Sequence, residues 1–444
     1  MPHSSIVHDL RSAHSADALL TGAPLPTLLY FALPIILGNI FQQLYSIVDA
    51  IVVGNFLGDL PLSGISVASP IVDVANALVI GGTIGVGVLC AHYCGAGEGE
   101  RLRCMNATAL LGGGALTLLI ALCGIFFSTP LLRAQGTEEA VCREAAVYLQ
   151  LVFAGLLFCF LYNYYAAMLR SCGNSRTPFL ILLLSSTLHA LLDVLFVGVF
   201  GWGIRGVAFS TVLCQALAAA ACILYAQRRC PPLLLRPANL RFDRQMARLV
   251  LSYAWAAALQ QAVVCIGRLL VQGMLTPLGT STVTGYNMSL RTEQFLFCFS
   301  QGISAAMVVC LSQNLGHGDR PRARRFFRIS VLVELALIAL LGTVCFLFPA
   351  RIVGLFSDNA DVIAAGAQYT GAMAYLYVFA YLGEVIQGFF RGLGRLRLTM
   401  VASLLQVLLR VVLSYLLIPV WGMYGICAAV VSGWVLLVGI EGAY

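Results

Sequence analysis

Residues 178–200 read PFLILLLSSTLHALLDVLFVGVF, an apolar run in which Asp193 is the only charged side chain and His189 the only other ionisable one. At 1.5 Å per helical residue the run spans roughly 34 Å, enough to cross a hydrocarbon layer roughly 30 Å thick. Segments of the same kind fill the chain. Turn chemistry separates them into twelve predicted helices near 26–56, 61–91, 105–127, 145–169, 178–200, 205–227, 247–276, 281–311, 327–349, 365–390, 398–420 and 423–443. The fold class expected is therefore an all-α polytopic membrane protein.

Composition agrees. Of 444 residues 60% are hydrophobic and only 10% charged, whereas a soluble domain needs about 25% charged residues to face water. Disordered, fibrous and nucleic-acid-binding classes are excluded. A porin-like barrel is excluded too, because its strands would alternate apolar and polar residues and these runs are continuous. The net charge of +7 comes from 26 basic residues, all of them Arg. With the N-terminus inside, 19 of these lie in cytoplasmic segments and only Arg133, Arg143, Arg205 and Arg351 in outer loops, so both termini are expected in the cytoplasm. The polar stretch Met1–Ala23 lacks the pattern of a cleaved signal peptide. The 15 Cys sit within apolar runs without a CxxC spacing. Read as small hydrophobes, they predict neither a disulfide framework nor a metal site.

The longest inner connection, Gln227–Arg248, contains Pro231, Pro232 and Pro237 and divides the chain. The expected organisation is a cytoplasmic tail over 1–24, a six-helix bundle over 25–227, a linker over 228–247 and a second bundle over 248–444. A shift of 221 residues aligns Gly95-Ala-Gly97-Glu98 with Gly316-His-Gly318-Asp319, Tyr148 with Tyr369, and Arg170-x-x-Gly173 with Arg391-x-x-Gly394. After a two-residue slip, Trp202-Gly203-x-x-Gly206 matches Trp421-Gly422-x-x-Gly425. These matches imply an internal duplication. Six helices per copy make the repeats parallel, an arrangement suited to alternating access.

Ionisable residues inside a membrane are costly, and each is a functional candidate. Counting residues puts Asp49 roughly 12 Å, Asp193 about 10 Å and Thr211 about 9 Å below the outer boundary. His189 is an i,i−4 neighbour of Asp193 on the same helix face. Two unpaired carboxylates in low dielectric cannot both stay ionised, so one takes up a proton or a cation sits between them. Loop capping and helix bridging are the competing roles. In the second half, internal ion pairing is the ordinary reading for Arg268, Arg291, Arg410, Glu334 and Glu384, and Glu334 is placed to snorkel to the inner surface. Glu293, about 18 Å into the eighth helix, is a substrate-cavity candidate, as are Asp73, Tyr162 and Tyr375. The aromatic groups of helices 4 and 10 could hold flat cations or anchor the interface. Pro34 is a candidate hinge in the first helix.

These residues resemble a known family. Ala32-Leu33-Pro34-Ile35, then Gln42, Gln43, Tyr45, Val48, Asp49 and Gly54, with Gly285-Tyr-Asn-Met-Ser-Leu-Arg291-Thr-Glu293 and Gln313-Asn314-Leu315-Gly316, are similar to the multidrug and toxic compound extrusion (MATE) transporters. The resemblance covers nearly the whole chain. It implies a V-shaped pair of six-helix bundles and export of cationic amphipathic compounds in exchange for H+ or Na+. Members with a cation site in the N-terminal lobe use a helix-1 Asp, a helix-5 Asn and Asp four apart, and a helix-6 Thr; the matching positions are Asp49, His189, Asp193 and Thr211. His189 departs from the Asn of that pattern, and its imidazole can itself accept a proton, which favours H+. The expectation is a monomeric, multi-pass protein of the bacterial cytoplasmic membrane. It takes a small cationic amphipathic substrate, meets membrane lipid, binds no nucleic acid and uses no cofactor beyond the coupling ion. A lipid-linked oligosaccharide flippase of the wider superfamily, suggested by Arg268, Arg291 and Arg410, is the alternative. A membrane-embedded transferase is disfavoured by the short outer loops.

Overall fold

The computed structural model describes residues 18–234, 241–275 and 279–444. Its helices are α1 (Pro24–Leu57), α2 (Asp59–Ala96), α3 (Gly99–Ala134), α4 (Glu139–Ser171), α5 (Arg176–Asp193), α6 (Ile204–Arg229), α7 (Arg244–Gly273), α8 (Thr280–His317), α9 (Arg320–Leu347), α10 (Pro349–Val353), α11 (Ala360–Met373), α12 (Tyr377–Gly392), α13 (Leu396–Trp421) and α14 (Met423–Ala443). Among the described residues eleven helices are long and apolar enough to span a membrane, and the pair α11–α12, bent by 58°, brings the number to twelve where it is counted as one span. The chain is an all-helical, multi-pass membrane protein. The tenth expected span, 365–390, is thus broken at residues 374–376.

The duplication is visible in the backbone. Gly58 and Gly279, Gly97 and Gly318, and Gly173 and Gly394 form pairs 221 residues apart, and every member has a positive φ. Gly203 and Gly422, with φ of 61° and 53°, repeat the pattern after the two-residue slip. Such angles are open to glycine and closed to most other residues, so the same turns recur in both copies.

Two compact units emerge. The first comprises the described residues of 37–258 with the short segments 18–22 and 316–318. The second comprises 23–36, 259–315 and 319–444. The core of the first is built on α2, α3 and α4 around Met105, Leu149, Phe153, Tyr164 and Met168. Within it the Tyr164 hydroxyl donates to the Asn106 side-chain carbonyl at 2.7 Å, and Asn106 Nδ2 donates to the Leu233 carbonyl at 3.1 Å. This satisfies polar groups that hydrocarbon would leave stranded. The core of the second gathers Tyr286, Tyr369, Tyr377, Tyr381, Ile418 and Ile426. There α8 lies against α11 through small residues: Ser289 Oγ donates to the Gly366 carbonyl at 2.9 Å, and Gly285 has no room for a side chain. Small residues let membrane helices approach closely in this way.

Candidate functional site

α5 carries the acid of the site, and it does not end as an ordinary helix does. Immediately after Asp193 the chain runs as a π-helical turn, Val194–Val199, whose exit is closed by Phe200 N–H donating to the Leu195 carbonyl at 2.9 Å. π turns are rare and gather at functional sites. Here the turn lets Phe196 stack on Trp202 with ring centroids 4.9 Å apart, while Phe209 of α6 meets both rings edge-on. The aromatic stack joins the end of α5 to the start of α6.

That junction fixes a short hydrogen-bonded chain. His189 Nδ1 lies 3.0 Å from Asp193 Oδ2, and His189 Nε2 lies 2.9 Å from Thr211 Oγ1. The Ser210 hydroxyl bonds Asp193 Oδ1. The Thr211 hydroxyl donates to the Val207 carbonyl at 2.8 Å, and Ser210 Oγ lies at 2.8 Å from the same carbonyl. Asp193 and Ser210 are fully buried and His189 is 4% exposed. Asp193 pairs with no arginine among the described residues; its partners are the imidazole and the Ser210 hydroxyl.

Proton counting gives this chain its chemistry. The single Thr211 proton goes to Val207, so Thr211 Oγ1 accepts from His189 Nε2–H. The other ring nitrogen, Nδ1, is left facing the Asp193 carboxyl as the one basic group beside it among the described residues.

Other candidates are placed differently. The side chain of Asp49, on α1, lies outside the described residues. Pro34 is buried inside α1, which runs through it without a break. Asp73 is exposed on α2, and Tyr162 is half-buried against the core of the first unit. Tyr375 falls in the break between α11 and α12; it is 49% exposed, with its hydroxyl 3.1 Å from Thr343 Oγ1. Glu293 accepts from the Tyr377 and Tyr369 hydroxyls at 3.2 and 3.4 Å. Among the other tyrosines of the aromatic-rich fourth and tenth expected helices, Tyr164 and Tyr381 are fully buried and bonded to backbone, so they serve packing. Glu334 does not snorkel: it is fully buried beside Ser300, because α9 turns that face to its own unit. Glu384 pairs with Arg391 at 3.0 Å. At the positions matching His189 and Asp193 the second unit has Arg410, bonded to the Tyr286 hydroxyl, and Ser414. Counting along the sequence missed Ser210. Its signal was the adjacent hydroxyl pair, Ser210-Thr211, on a helix otherwise rich in alanine.

Two copies of one helical repeat, with an ionisable cluster buried in the first, define a polytopic membrane carrier. The chain belongs to the MatE family, whose pattern matches residues 34–195 and again 256–416. It is 27% identical over 387 residues to a probable multidrug resistance protein of Bacillus subtilis, covering 87% of this chain and 86% of the relative. It is 26% identical over 355 residues to a protein of Shewanella oneidensis named as an FAD transporter, covering 78% and 77%. Among solved structures, a MOP-superfamily transporter from Pyrococcus furiosus superposes with a TM-score of 0.89 at 19% identity over 96% of each chain. That likeness speaks to the fold.

Proposed function

We propose that this protein is a secondary active antiporter of the bacterial cytoplasmic membrane. It exports cationic amphipathic compounds in exchange for H+, and His189 and Asp193 form the proton-carrying pair. The observation that carries this reading is the 3.0 Å approach of His189 Nδ1 to Asp193 Oδ2 in a site closed to water. Asp193 Oδ1 is bonded to Ser210, and Oδ2 lies 3.0 Å from the imidazole. A proton held between Oδ2 and the imidazole needs no rearrangement of the site, whereas Na+ would need several further oxygen ligands that the imidazole does not supply. Alternating access then consists of loading that proton when the site opens outward and losing it when the site opens inward. Relatives named for multidrug resistance support the cargo class.

The test is ethidium efflux from cells under an imposed pH gradient or an imposed Na+ gradient. Efflux should follow the pH gradient and ignore Na+. Asp193→Asn should abolish it at normal protein level, and Asp49→Asn should do the same. Efflux that persists without either gradient would remove the antiport reading.

Arg268 and Arg291 are exposed in the second unit, and one relative is named for a flat anionic molecule. An anionic cargo is accordingly the second reading. Competition of ethidium efflux by FAD distinguishes it, since a carrier of cations alone should show none.

A further inference from the structure

Three cysteine thiols converge at the arginine-rich end of the first unit. Cys90 and Cys94 lie one turn apart on α2 and therefore share a face. Cys172 is the residue directly after α4. The three sulfurs all lie within 4.8 Å of one another, and Cys94 Sγ is 3.2 Å from Cys172 Sγ. A fourth thiol, that of Cys230 directly after α6, is a neighbour of Cys172. All four are free thiols, Cys90 fully buried and the others half-buried. A neighbouring bond, Ser171 Oγ donating to the Gly87 carbonyl at 2.7 Å, ties α4 to α2 one turn away.

The second copy of the repeat shows that packing does not require sulfur here. The positions 221 residues on from Cys90, Cys94 and Cys172 are Leu311, Leu315 and Leu393. In that copy the Leu311 side chain fills the contact, closing on Gly392. Leu311 does the packing in one half, and in the other a smaller, metal-ligating side chain, Cys90, stands in its place.

We propose that Cys90, Cys94 and Cys172 form a binding site for a soft, thiophilic metal ion of the Zn2+ or Cu+ type, with Cys230 at hand as a fourth ligand. Metal–sulfur bonds of about 2.3 Å set tetrahedral ligands about 3.8 Å apart, and the thiols already bracket that spacing. Soft thiolate sets select these ions over hard cations. Loading exchanges one proton per coordinating thiol for metal–sulfur bonds and changes no oxidation state. The bound ion would pin α2, α4 and the end of α6 together. Arg170, Arg176, Arg228 and Arg229, close in sequence to Cys172 and Cys230, offset the negative charge of a metal–thiolate cluster. The site is separate from the His189–Asp193 pair, and its test does not depend on transport.

The experiment uses the full chain in detergent, reduced and handled without oxygen. It is dialysed against Zn2+ or, separately, against Cu+ kept reduced, and retained metal is measured by mass spectrometry. One equivalent of one of these ions per chain is expected. The Co2+-loaded protein should show the near-ultraviolet sulfur-to-metal charge-transfer band of thiolate ligation. Cys90→Ser and Cys172→Ser should each lower affinity by about tenfold or more, the loss that even an outer-shell change causes, while Cys345→Ser, in the other unit, leaves it intact. Thermal unfolding of the metal-free variants separates lost binding from lost folding. Retention of neither ion by the unmutated chain would overturn the proposal. So would binding that survives both serine variants, or a chain that isolates with Cys94 and Cys172 oxidised to a disulfide and takes up no metal after reduction.

Discussion

Ser210 is the residue on which the site's stability and its proton chemistry meet. Its hydroxyl reaches a buried carboxyl group that no arginine among the described residues neutralises. Ser210→Ala should cost about 1–3 kcal/mol of stability, the penalty for a buried acceptor left without its donor, and should shift the pH dependence of efflux. Thermal unfolding in detergent and a pH series of efflux rates read the two effects. Ser414 stands where Asp193 stands in the first copy; it is fully buried and its hydroxyl is unpartnered among the described residues. Ser414→Ala should therefore leave the melting temperature unchanged or raise it, since it removes a desolvated polar group that makes no bond. Much of this chain of side chains is legible in the sequence. The four-residue spacing of His189 and Asp193 puts them on one helix face, and counting from the helix ends brings Thr211 to their level. Ser210 is not legible in that way, because which of two adjacent hydroxyls meets the acid depends on the rotation of α6. The fate of Glu334 is hidden for a related reason. Its distance from a helix end allows snorkelling, but the direction it points is set by packing.

At the scale of helices, close approach and breakage are the two features that matter. A Cβ on Gly285 would come within 2.7 Å of Val362 O and Gly366 N, both backbone atoms that cannot swing away. Gly285→Ala should thus destabilise the protein by about 1–3 kcal/mol, the usual cost of overpacking. Gly82, also inside a helix, has nothing within 4 Å, and Gly82→Ala should be neutral or gain up to about 1 kcal/mol from helix propensity. Parallel melting curves of the two variants check the contrast. Breakage is the feature that sequence hides. α4 is continuous over 33 residues although it contains Gly155, while its counterpart breaks at Ala374-Tyr375-Leu376, where there is neither Gly nor Pro. Local propensity would predict the reverse. The interruption is imposed by tertiary packing, in which Tyr375 turns onto Phe346 and Thr343. The π turn after Asp193 is hidden likewise, since its residues, Val194–Val199, are as apolar as any ordinary span.

For the whole molecule, the decisive quantities are the number of spans and the placement of arginine. Apolar runs long enough to cross a bilayer are the strongest pattern a sequence can carry, so the span count and the duplication are readable from the order of residues alone. The unit that each stretch joins is less so: residues 23–36 group with the second unit and 244–258 with the first, a matter of three-dimensional contact rather than of order along the chain. An even number of spans would put both ends on one side, and the skew of arginine supports the cytoplasm as that side. A green fluorescent protein fused after Tyr444 should fluoresce in intact bacteria, and a periplasmic alkaline phosphatase fusion at the same point should be inactive. The opposite pattern would reverse the orientation.

The four pairs of left-handed glycines give the molecule a built-in control. Gly173 and Gly394 make the same turn in each copy, one in the half that holds His189 and Asp193 and one in the half where Arg410 and Ser414 stand instead. An identical replacement can be introduced at either place, so the wild-type background, the lipid and the expression level are all held constant. Whatever the first replacement costs beyond the second measures what the ancestral hairpin, freed from its twin, has since been asked to do.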